Sequence, residues 1–125
     1  MKTVTLNISD RYKALSILDN FKGSMADLSH ILDDVKVLVV TEEEWTQAGK
    51  VEHYFNEQGQ EVPKGDPSVK SGNLTWDNEK GPQKACELNQ STVDYLKTFI
   101  KEKDDAKEIT VADKDLIHLQ QSLTA

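Results

Sequence analysis

The sequence predicts an α+β fold, about four helices around a small antiparallel sheet, in one domain spanning residues 1–125. Three observations predict it. Val4, Leu6 and Ile8 alternate with Thr3, Thr5 and Asn7, the two-residue period of a half-buried strand. Leu28, Ile31, Leu32, Val35, Leu38 and Val39 recur at the spacing of one helix face. Thr41-Glu42-Glu43-Glu44 has the form of a capping box, an unambiguous helix start.

Taken in order, the first strand covers residues 3–8. Ser9 then caps a helix from Asp10 to about Phe21, with Ala14, Leu15, Leu18 and Phe21 as its apolar stripe and Gly23 as its stop. Ser24 caps a second helix. Its end is ambiguous, because residues 35–40 are rich in valine and also read as a buried strand; the stripe favours helix to about residue 38. Val40 and Trp45 take the two positions of a hydrophobic staple around the capping box, so a short helix runs from Glu42 to Ala48 and ends at Gly49. Val51, His53 and Phe55 alternate as a strand, Asn56–Gly59 turns, and Gln60–Val62 returns. Residues 63–73 hold two prolines, two glycines and two serines and read as a flexible loop. Leu74–Trp76 is a short strand that Lys84–Leu88 is placed to pair with. Asn89 or Ser91 caps a long helix to about Lys103 with Val93, Leu96, Phe99 and Ile100 inward. Thr110 caps a terminal helix whose Leu116, Leu119 and Leu123 face the core.

Charge is the strongest functional signal. The net charge is −7, and residues 27–61 account for all of it with nine acids against two lysines. Such a field repels phosphate, which argues against direct binding to nucleic acid or an anionic membrane and leaves open a basic protein surface as partner. The candidate contact residues are Asp33, Asp34, Glu42 and Glu43, with Tyr54 as an aromatic neighbour on the following strand. Part of the acidic run also has a local explanation, since carboxylates are favoured in a first helical turn.

Chemical motifs are weak. Residues 65–71 resemble a phosphate loop, but Val69 stands where glycine must precede the lysine and no helix follows Ser71. His30, His53 and His118 fall at no metal-ligand spacing, so no metal or cofactor is expected. Cys86 is the single cysteine, which leaves no disulfide within the chain and suits a small apolar core residue. No serine sits in a strand-turn-helix elbow, and twenty-two acids bring carboxylates together by chance. The reading is therefore non-enzymatic. With no apolar run at the start and no stretch near the ~20 apolar residues of a membrane span, a cytoplasmic location is expected. The order helix, helix, short helix, hairpin is also that of a winged helix, but its third helix carries three glutamates and no base, which disfavours DNA reading.

Leu6-Asn7-Ile8-Ser9-Asp10-Arg11 before a leucine-rich helix, Thr41–Glu44, Leu74-Thr75-Trp76 and Asp115–Leu123 together resemble a group of short proteins encoded by phages and prophages. The group has an LxISER-like opening, a TEEE-capped helix, a TW strand and a C-terminal helical pair. The likeness covers most of the chain except residues 50–72, which stand as an insertion. It implies a mobile-element origin and no mechanism, so it supplies no site residues. The expectation is a small acidic interaction module, such as a phage-encoded modulator of a host factor. The alternatives are a self-associating assembly component and an enzyme whose site the sequence does not reveal.

Overall fold

The computed structural model describes all residues 1–125. In chain order the elements are β1 (Lys2–Leu6), α1 (Ile8–Leu18), α2 (Met25–Leu38), α3 (Glu42–Ala48), β2 (Val51–Asn56), β3 (Glu61–Val62), β4 (Val69–Thr75), β5 (Lys84–Leu88), α4 (Gln90–Asp105), a 3₁₀ turn (Val111–Asp113) and α5 (Asp115–Thr124). The fold is α+β, with five helices and two antiparallel sheets of two and three strands. The chain divides into two compact units, residues 1–40 with 83–125, and residues 41–82.

The first unit carries the core. β1 and β5 pair antiparallel with Val4 opposite Cys86, and the buried side chains Val4, Leu6, Cys86 and Leu88 line one face. A two-stranded ribbon is not stable alone. Here that face shares one apolar cluster with Ile31 and Leu38 of α2, Val93, Leu96 and Ile100 of α4, and Leu116, Leu119 and Leu123 of α5. Phe21 meets Tyr95 edge-on, with ring centroids 4.9 Å apart.

Helix starts and one strand pairing differ from expectation. Strand β1 stops at Leu6 because Asn7, not Ser9, caps α1. The Asn7 Oδ1 accepts from the Asp10 amide at 2.7 Å and the Asp10 carboxylate accepts from the Asn7 amide at 3.2 Å, a complete capping box that starts the helix earlier. The segment 35–40 is helix to Leu38, as the apolar stripe favoured. β5 pairs with β1 and not with β4, since its inward Cys86 and Leu88 match the apolar face of β1. Thr110 and Asp113 close a one-turn 3₁₀ helix, and α5 starts only at Asp115.

In the second unit, α3 forms as expected. The Thr41 hydroxyl accepts from the Glu44 amide at 3.2 Å, the Glu44 Oε1 accepts from the Thr41 amide at 3.1 Å, and Gly49 ends the helix with φ of 70°. Trp45 and Trp76 pack edge-on at 5.1 Å, with Lys50 Nζ 5.3 Å from the Trp45 ring centre. The sheet order is β3-β2-β4. β4 begins at Val69, so the segment 63–73 expected as a flexible loop is strand over its last five residues. Its Lys70, Ser71, Gly72 and Asn73 show no apolar alternation because the strand is exposed at these positions, where nothing demands apolar side chains. A bulge lies between Phe55 and Asn56 of β2. The order helix, helix, short helix, hairpin is present, but α1 and α2 belong to the first unit and α3 and the hairpin to the second.

Candidate functional site

The five expected contact residues do not form one set. Asp33 is exposed on α2, in the first unit. Asp34, beside it in sequence, is buried at 2 % exposure. Its carboxylate accepts from the Asn89 backbone amide at 3.0 Å and from Asn89 Nδ2 at 3.1 Å. That pairing ties α2 to the start of α4 and removes Asp34 from any acidic face, because both oxygens are used inside the fold. Glu42 and Glu43 are exposed in the first turn of α3, in the second unit, and neither enters an ion pair. Glu44 is partly covered, its carboxylate turned back onto Thr41.

Tyr54 is half-buried on β2, and its hydroxyl donates to Glu52 Oε2 at 2.6 Å. That hydrogen bond, helped by Lys64 Nζ at 3.7 Å, holds the Glu52 carboxyl below its ordinary range and pushes the Tyr54 hydroxyl up. A shallow depression of about 450 Å³ lies over Glu52, Tyr54, Val62, Pro63 and Lys64. Counted across residues 41–82, the second unit has nine acids against four lysines. It is therefore the more acidic part of the molecule, and Glu42 and Glu43 are among its exposed carboxylates that enter no ion pair.

Sequence reasoning missed two histidine arrangements. On the second unit's sheet, His53 Nδ1 donates to Glu61 Oε1 at 2.5 Å, and Thr75 Oγ1 lies 2.9 Å from His53 Nε2. Carboxylate, imidazole and hydroxyl thus stand in the order that activates a hydroxyl nucleophile. The three groups come from β3, β2 and β4, however, and lie across the strands of a small exposed sheet, a setting unlike the turn and helix start that supply oxyanion donors. They act as a cross-strand polar ladder. In the first unit, His118 Nδ1 donates to the Asp10 carboxylate at 2.8 Å, and Ser122 Oγ adds a contact at 3.3 Å. Asp10 is buried, so this pairing satisfies the capping carboxylate and fastens α5 to α1. His118 also borders a polar cleft of about 400 Å³ with Thr3, Thr5, Gln83 and Gln121. No signal in the sequence links residues 108 positions apart.

No group of three His, Cys, Asp or Glu side chains is arranged to hold a metal ion, and no helix is long and apolar enough to cross a membrane. Compared with protein-family models, curated proteins and solved structures, the chain matches none.

Proposed function

We propose that this chain is a non-enzymatic interaction protein that offers the acidic second unit to a basic surface on another protein. One observation carries the reading. Glu42 and Glu43 stand exposed and without ion partners on a helix turn whose backbone is fixed by the Thr41–Glu44 capping box. Such a turn presents two carboxylates at little cost in side-chain ordering beyond their own, and the excess of acids around it steers a cationic partner toward encounter. Tyr54, half-buried beside Glu52 and Lys64, supplies an aromatic contact in the same unit. Phosphate-bearing ligands are disfavoured by the same field. A cytoplasmic phage-encoded modulator of a host factor, acting on a surface that otherwise binds nucleic acid, fits this reading and the sequence likeness described above.

Affinity capture from a lysate at low and at high salt tests it. The expected result is a protein with a basic surface, retained at low salt and released when the Debye length falls to about 3 Å near 1 M salt. A partner held equally at both salts, or recovery of the bait alone, contradicts the reading.

A further inference from the structure

Helix α2 carries two apolar stripes. Ile31 and Leu38 enter the core of the first unit at no more than 2 % exposure. Turned roughly a quarter of the helix circumference away, Met25, Leu28, Leu32, Val35 and Val39 recur at alternating steps of three and four residues, the seam of a two-helix pairing. Of these, Met25 is 88 % exposed, Leu28 41 %, Leu32 55 % and Val39, the residue that caps the helix end, 47 %, while Val35 is partly buried against the core. Leu28, Leu32 and Val35 of the seam also form one wall of a groove of about 600 Å³, with Leu15 and Phe21 on the other. A contiguous stripe of this kind is costly to leave in water and marks an interaction surface.

We propose that the seam closes on the same seam of a second copy of this chain, the two α2 helices running antiparallel about a two-fold axis level with residues 33 and 34. In that register Leu32 meets Val35 of the second copy and Leu28 meets its Val39, so each layer sets a larger side chain against a smaller one. The flank favours a second copy over an unrelated helix. Asp33 and Lys36 are exposed beside the seam, and neither enters an ion pair within the chain. The register brings Asp33 of each copy against Lys36 of the other, so the complementary charges occur twice by symmetry. The dimer surface lies on the first unit, whereas Glu42 and Glu43 belong to the second.

Mass against concentration, by sedimentation equilibrium of the full chain, tests the proposal. The expected result is a rise from 14.1 kDa toward twice that value. Leu32→Glu holds the mass at the monomer value with an unchanged helical circular dichroism spectrum, since the position is half exposed and bears no core contact load. Asp33→Lys alone and Lys36→Glu alone each weaken the dimer about tenfold, because like charges then meet twice. An equimolar mixture of those two variants restores it, since each copy supplies the charge the other has lost. A monomer at all concentrations, a dimer indifferent to Leu32→Glu, or a mixture no tighter than either variant alone would overturn the proposal.

Discussion

Asp34 and Asn89 lie 55 positions apart in the chain, and their hydrogen bonds take Asp34 out of the exposed part of the acidic segment. A run of charged neighbours makes Asp34 read as surface; only the tertiary partner reveals it as an internal anchor. Asp34→Ala leaves the partly buried Asn89 amide without its Asp34 acceptor and is expected to cost about 2 kcal/mol in urea unfolding. Asp33→Ala, one residue away and exposed, is expected to change stability by less than about 0.5 kcal/mol. Asp113 gives a pH-dependent counterpart. The Thr110 amide at 3.1 Å and Lys103 Nζ at 3.1 Å hold its carboxyl down at about 2, from an ordinary 3.8. A depressed carboxyl contributes stability above its unfolded value and loses it as pH falls through the folded one. Asp113→Asn is therefore expected to lower the melting temperature at neutral pH, with the difference from the parent shrinking between pH 3.8 and about 2. A difference that stays constant across that window would contradict the assignment.

Elements whose ends are written in side chains next to them were legible. The Thr41–Glu44 box and Gly49 bound α3 without reference to anything else, and Met25–Leu38 follows from the cap at Ser24 and the apolar stripe. Thr41→Ala removes the acceptor for the Glu44 amide and is expected to cost about 1 kcal/mol, read as a shift in the urea midpoint. Elements that depend on a partner strand were not legible. β4 is polar over Lys70–Asn73 and follows the register that β2 offers it, from Val51 opposite Thr75 to Asn56 opposite Val69. The pairing of β5 with β1 crosses nearly the whole chain, and hydropathy alone could not choose between β1 and β4 as its neighbour. The same limit hid His53, Glu61 and Thr75, whose meeting is set by sheet order.

At the scale of the molecule, the two units differ sharply in what holds them together. The first buries a shared cluster from four helices and a ribbon, whereas within residues 41–82 only Ala48 is fully buried. A unit of that size with so little interior is marginal, and local opening is expected there first. Both tryptophans, Trp45 and Trp76, lie in it, while most of the helix lies in the first unit. Tryptophan fluorescence is therefore expected to change at lower urea than far-ultraviolet circular dichroism; coincident transitions would contradict this ordering. The α+β class was legible in the sequence because two capped helices and one alternating strand suffice to define it. The acidic face was legible only as composition, since burial of Asp34 and the division between units depend on contacts distant in the chain. The most direct test of the proposed acidic contact is charge reversal at the two exposed carboxylates of the α3 turn. Capture at low salt with the Glu42→Lys, Glu43→Lys double variant, beside the parent chain and with folding checked by circular dichroism, is expected to lose the partner that the parent retains. Undiminished recovery of the same partner by the folded variant would contradict the account.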